Sequence, residues 1–182
     1  MKKEILGTLY KGFLTVRRIA ATIKGKERAY ELLDIKGAVA GLVIDENGKI
    51  GLVHQYRPAA DQVTIEIPAG TLDKEGASHY DVLFGELEEE MGIRWEETTV
   101  RISPHPILEY YMMVGCCNGK MAVYLINVAA QQDRESDDSD VIRTEWVTLE
   151  TFGRYIAEGK IVDGKSIMAY WYLRANPELL AA

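Results

Sequence analysis

The 182-residue chain is poor in cysteine, histidine and basic charge, and each shortage closes off a class of function. Its only cysteines, Cys116 and Cys117, are adjacent, a placement that ordinary disulfide geometry does not accommodate. They read as free thiols, which fits a reducing compartment better than a disulfide-built secreted domain. The three histidines, His54, His79 and His105, are scattered without the spacing of a zinc site and read as structural or surface residues. Lys and Arg number 21 against 28 Asp and Glu, a formal charge of -7, so the chain lacks the basic face that nucleic acid or an anionic membrane attracts. No apolar run approaches the roughly 20 residues of a membrane span, and Met1 to Gly7 lacks the apolar core of a signal peptide. The expected setting is therefore the cytoplasm, with neither nucleic acid nor membrane as a partner.

What is present is the material of a folded domain. Hydrophobic residues make up 47% of the chain and charged residues 27%, enough to bury a core and too ordinary for disorder. Loose alternation predicts strands over Phe13 to Ile23 and Arg28 to Leu33, with a turn at Gly25 and Lys26. The apolar run Ala38 to Ile44, followed by Asp45-Glu46-Asn47-Gly48-Lys49 and Ile50 to Val53, predicts a buried hairpin with an Asn-Gly turn. A strand over Val63 to Ile67 ends at Pro68, and others are expected over Val100 to Ile107, Met121 to Asn127 and Glu145 to Thr148. Helices are expected from a Ser78 cap to Gly92, over Glu150 to Glu158, and over Asp163 to Ala175. Mixed strands with separated helices predict an α/β (α+β) domain.

The helix before Gly92 carries the chemistry. At about 100° per residue, Glu86, Glu89 and Glu90 share a stripe beside the apolar stripe of Tyr80, Leu83, Leu87 and Met91. Carboxylates three and four apart repel, and in the last turn they also face the negative end of the helix dipole. A hard divalent cation, with Mg²⁺ the natural candidate, would offset both penalties. A solvated acidic face is the alternative reading of the same spacing.

The segment Pro68-Ala69-Gly70, followed by Glu86-Leu87-Glu88-Glu89-Glu90-Met91-Gly92-Ile93, resembles the Nudix box. That family places Gly, five residues, Glu, seven residues, then Arg-Glu-apolar-any-Glu-Glu-any-Gly-apolar on a loop-helix-loop. The second half matches position by position, except that Gly85 stands at the Arg; the family's first Glu falls on Ala77 and its first Gly on Thr71. The resemblance implies a Nudix-like α/β/α sandwich with a mixed sheet over residues 38–182, preceded by a small antiparallel sheet over residues 1–37. It implies metal ligation by Glu86, Glu90 and the Ala69 carbonyl, with Glu89 sharing the metal site or the catalysis.

His54-Gln55-Tyr56-Arg57 and Ile65-Glu66-Ile67-Pro68 are similar to the strands that precede the box in the ADP-ribose pyrophosphatase branch, as is Gly159 to Ser166 to its C-terminal helix entry. There Arg57 and Glu66 are implied to hold substrate, and Phe13, or Tyr10, to stack on a nucleobase. The branch carries its general base in the acidic loop Asp133 to Asp140, which makes Asp138 and Asp140 candidates. The implied function is Mg²⁺-dependent hydrolysis of a nucleoside diphosphate joined to a sugar, ADP-ribose foremost, by a homodimer formed through the N-terminal strands. Another nucleotide sugar such as GDP-mannose, or a Nudix-fold module that binds without turnover, are the alternatives; Met112 to Gly119 lacks the Pro and Glu that the ADP-ribose enzymes carry there.

Overall fold

A computed structural model describes residues 2–94, 99–129, 131, 134–135 and 140–181. Strands β1 (Lys2–Lys11), β2 (Thr15–Ile23) and β3 (Lys26–Asp34) form an antiparallel sheet in that order. The remaining strands are β4 (Ala38–Asp45), β5 (Ile50–Arg57), β6 (Gln62–Glu66), β7 (Ala69–Thr71), β8 (Val100–Ile102), β9 (Leu108–Tyr111), β10 (Lys120–Val128), β11 (Arg134–Glu135) and β12 (Val141–Val147). They form one mixed sheet whose backbone order is β11-β12-β5-β4-β10-β8. The helices are α1 (His79–Met91), α2 (Leu149–Ala157) and α3 (Gly164–Ala175). A short 3-10 turn over Pro177–Ala181 follows α3.

The centre of the sheet is the parallel pair β4 and β10, running from Ala38 opposite Met121 to Asp45 opposite Val128. Parallel strands are covered on both faces, which is why both read as unbroken apolar runs. Val39, Val43, Ala122, Tyr124 and Ile126 face a core closed by Val82, Leu83, Leu87 and Met91 of α1. Their neighbours Ala40, Leu42, Ile44, Met121 and Val123 face a second core closed by Phe152 of α2 and by Ala169 and Leu173 of α3. The result is the expected α/β/α sandwich with a small separate sheet. Among the described residues no helix is long and apolar enough to cross a membrane.

Helix α1 begins and ends as its sequence dictates. Ser78 and Asp81 form a reciprocal capping box, and Gly92 closes the helix at φ 63°, a left-handed conformation that glycine adopts without strain. No basic residue lies in its last turn, and Arg94, just beyond it, pairs with Glu88 at 3.0 Å.

Several expectations change. The first hairpin turns at Lys24 and Gly25, and an unexpected strand, β1, precedes it; its sequence does not alternate, and it is held by backbone pairing to β2. Phe13 lies in the turn between β1 and β2 rather than in a strand, because Gly12 N–H bonds the Leu14 carbonyl there. The strand expected over Val100 to Ile107 stops at Ile102, since Pro104 and Pro106 have no N–H to offer a neighbour. Most consequential, β4 and β5 pair only at Ile44 opposite Ile50 and then part. Beyond that point β5 takes β6 and β4 takes β7, so the connector Glu66 to Ala69 crosses between the two halves of the sheet.

Leu83 is 1% exposed and seats α1 on the sheet. Replacing Leu83 with Ala is expected to remove about 2–5 kcal/mol from unfolding in urea. A loss below about 1 kcal/mol would show that α1 is not anchored by this face.

Candidate active site

The connector between β6 and β7 is met from both sides of the sandwich. From α1, Glu90 is 3% exposed and its Oε2 accepts the Ala69 N–H at 3.1 Å. Glu86, one turn earlier, lies against Gly70 so closely that a Cβ at position 70 would come within 2.0 Å of its Oε1. A side chain at position 70 would displace that carboxylate. Glu86 and Glu90 therefore both lie against the Ala69–Gly70 backbone. Burial first, and the neighbouring Glu86 carboxylate second, push the Glu90 carboxyl up to about 8. The Ala69 N–H and the charges of Lys165 and Arg57 only partly oppose this.

Glu89 parts from the pair: it is exposed and lines, with Glu86, Lys74 and Asp81, a cleft of about 160 Å³ beside Gly85. Nothing lies within 4 Å of where a Cβ of Gly85 would be, so the position at which the family carries Arg is open. Among the described residues no three His, Cys, Asp or Glu side chains are grouped to hold a metal ion by themselves. Two crowded carboxylates beside a backbone turn still fit Mg²⁺, which is commonly held by one or two carboxylates with the rest of its shell left to water and substrate phosphate.

Glu66 is held differently. Its Oε1 accepts Arg57 Nε at 2.8 Å and the Thr64 hydroxyl; its Oε2 accepts Arg57 Nη2 at 2.6 Å and Lys165 Nζ. The carboxylate is 3% exposed, and four donors occupy it. Burial on its own would raise its pKa, but the Arg57 fork, Lys165 and Thr64 prevail and hold it down at about 2. Glu66 thus serves as the anchor of Arg57, whose guanidinium keeps its remaining N–H groups and has a side chain 41% exposed. Lys165, 6% exposed, also lies 3.1 Å from Asp163 Oδ2. Ser166, fully buried, accepts the Ile67 N–H at 2.9 Å and donates to Asp163.

Lys165 and Ser166 carried no expected role. A signal was available: Lys165 sits in the first turn of α3, where the helix dipole disfavours a cation, which is the kind of local conflict that marks Glu86 to Glu90.

The other candidates are more dispersed. Asp140 is exposed, and its carbonyl accepts the N–H of Tyr56, the residue next to Arg57. Asp138 lies outside the described residues. Phe13 is 99% exposed and borders a cleft of about 640 Å³ that runs past Leu14, Lys36 and Met112 to Thr71 and Asp73. Thr71 and Asp73 also line the cleft of Glu86 and Glu89, so the two spaces adjoin. His54 bonds Glu145 and His79 bonds the Tyr124 hydroxyl, away from the acids of α1. Cys116 is exposed, Cys117 is buried, and both are free.

With this geometry in view, comparison with known proteins agrees. The NUDIX domain model matches residues 34–171, and the chain belongs to the Nudix family. It is 31% identical over 159 residues to an ADP-ribose pyrophosphatase of Bacillus subtilis, covering 86% of this chain and 82% of that one. It is 29% identical over 157 residues to a methanol dehydrogenase activator of Bacillus methanolicus, covering 85% and 81%. A solved ADP compounds hydrolase shares the fold with a TM-score of 0.74 at 16% identity, over 98% of this chain and 95% of that one.

Glu66 is a carboxylate whose folded pKa lies below its ordinary 4.5, so its stabilising effect is full above that value and fades as pH falls toward about 2. The unfolding free energy of the wild type is expected to exceed that of Glu66→Gln by about 3 kcal/mol at neutral pH, narrowing through the acid range. A gap as wide at about pH 3 as at neutrality would contradict this assignment.

Proposed function

We propose that this protein hydrolyses the pyrophosphate bond of a nucleoside diphosphate joined to a sugar, with ADP-ribose, giving AMP and ribose 5-phosphate, as the foremost substrate. It is a pyrophosphohydrolase. The observation that carries the reading is the pair Glu86 and Glu90 closing on Ala69 and Gly70 beside an anchored Arg57, in a chain 31% identical to an ADP-ribose pyrophosphatase. The Phe13 cleft, adjoining the acids, is large enough for a nucleoside and supports the same class of ligand.

Each described residue then has a task. Glu86, Glu90 and the Ala69 carbonyl would hold Mg²⁺ or Mn²⁺. Such an ion supplies positive charge at the pyrophosphate oxygens and lowers the pKa of bound water. Arg57, with Glu66 fixing two of its nitrogens, points its free N–H groups at phosphate; guanidinium suits that contact because its donors are planar and always charged. Phe13 offers a face for the base. Glu89 and Asp140 are the described acids left to take the proton of the attacking water, with Asp138 beside them in sequence. Water adds to one phosphorus, the bridging oxygen leaves with the other phosphate, and the proton passes to the acid.

The N-terminal strands form the dimerising segment, residues 1–37, ahead of a Nudix domain over residues 38–182. Support comes from the exposed apolar side chains of β1: Ile5 at 56%, Leu6 at 54% and Leu9 at 51%. A three-stranded sheet with such a surface needs a partner, and a second copy is the one proposed. The acidic charge and free thiols support an enzyme of the cytoplasm acting on a small nucleotide.

Incubation with ADP-ribose and GDP-mannose, with and without Mg²⁺, tests the reading. AMP is expected from ADP-ribose only with the ion, and Glu90→Gln is expected to lose about a hundredfold or more in rate while remaining folded. Mg²⁺ is expected to raise the melting temperature of the wild type and not that of Glu90→Gln. Unchanged turnover in Glu90→Gln would remove Glu90 from the site. A melting-point rise with ADP-ribose but no cleavage would make this a binding module. Leu9→Lys is expected to give a monomer by light scattering, and a dimer unaffected by it would move the interface elsewhere.

A further inference from the structure

Lys165 is a buried cation at the start of α3. A lysine 6% exposed in the first turn of a helix is doubly disfavoured, by desolvation and by the helix dipole. It is retained with two carboxylates, Glu66 and Asp163. Asp163 is itself spoken for, since it caps α3 by accepting the N–H groups of Lys165 and Ser166. Of the two partners, Glu66 is the one that leads to the site.

The geometry of Glu66 shows what Lys165 does there. Arg57 binds through Nε and Nη2 to the two different oxygens of Glu66, a planar fork that fixes the guanidinium only if the carboxylate cannot turn. Thr64 holds Oε1 and Lys165 holds Oε2, one on each arm. Thr64 precedes Glu66 by two residues in β6, whereas Lys165 comes from α3, 99 residues away. Without Lys165, Oε2 keeps a single donor inside the protein, and the carboxylate can rotate about its remaining bonds. The fork would then lose its plane, and the free edge of Arg57 its direction.

We infer that Lys165 is a positioning residue: it acts through Glu66 to aim Arg57 at the substrate phosphates, and so links the C-terminal helix to substrate binding. This rests on reading Arg57 as a phosphate ligand in a pyrophosphohydrolase. Ser166 belongs to the same device, since its hydroxyl fixes the Ile67 N–H next to Glu66. The expected signature is a change in substrate binding, because a group that aims a binding residue alters KM before it alters the chemical step.

The test is a double-mutant cycle with Lys165→Met and Glu66→Gln, followed with ADP-ribose at saturating Mg²⁺ and at a temperature where circular dichroism shows each variant folded. Lys165→Met is expected to raise KM about tenfold or more, with a much smaller change in kcat. Lys165→Arg, which keeps a donor and the charge, is expected to recover most of that loss. The double variant is expected to be little worse than the poorer single one, since both changes break one linkage. A fall in kcat with KM unchanged, or losses that add, would overturn the proposal; so would Lys165→Met indistinguishable from wild type. If the wild type turns over no nucleotide sugar, the hydrolase reading fails on its own, and calorimetric binding of ADP-ribose takes its place. A tenfold weaker Kd in Lys165→Met then supports the positioning role. An equal Kd, or no binding by the wild type, overturns it. Should Lys165→Met not fold, Ser166→Ala and Lys165→Arg carry the same comparison.

Discussion

The separation of β4 from β5 after a single residue pair is the constraint on which the rest depends. Two strands of a continuous sheet would keep α1 and α3 on opposite faces. Because each strand instead takes its own short partner, the connector from Glu66 to Ala69 is accessible from both sides. Glu90 of α1 bonds Ala69, while Lys165 and Ser166 of α3 bond Glu66 and Ile67. Four consecutive residues thereby tie together the acidic helix, the strand that carries Arg57 and the C-terminal helix.

Charge is distributed unevenly across that connector. On one side Glu66 has an excess of donors, and its carboxylate is firmly ionised. On the other Glu90 is buried beside Glu86, and the Ala69 N–H with the charges of Lys165 and Arg57 only partly offsets this, so its pKa is pushed up. The first arrangement is complete within the protein. The second leaves Glu90, 3% exposed, beside the half-buried Glu86, and a cation between two such carboxylates would stabilise both as anions. The contrast distinguishes the two carboxylate sites more clearly than the count of acids in either segment. The oxygens of Glu66 accept from Arg57 and Lys165.

Much of this was legible in residue order. The unbroken apolar runs of β4 and β10, the capping box at Ser78 and the glycine stop at Gly92 are local signals, and each produced the element expected of it. Glu86 and Glu90 stood out because repulsion and the helix dipole made their placement unfavourable before any contact was known. Glu89, on the same stripe, is exposed and lines one cleft with Glu86. The short strands β7 and β9 were hidden because three or four residues carry too little periodicity to register. The tie between Lys165 and Glu66 joins residues 99 positions apart, and no local pattern encodes a contact at that distance. Tertiary packing decides such pairs.

Glu86 and Glu90 are proposed as a divalent-cation site completed by substrate. Counting bound Mn²⁺ by electron paramagnetic resonance, with and without ADP-ribose, tests it most directly. Weak binding is expected for the protein alone, tightening when the nucleotide is added, with loss of both in Glu86→Gln combined with Glu90→Gln. Mn²⁺ binding that is insensitive to those substitutions, or absent in the folded wild type with ADP-ribose present, would contradict it.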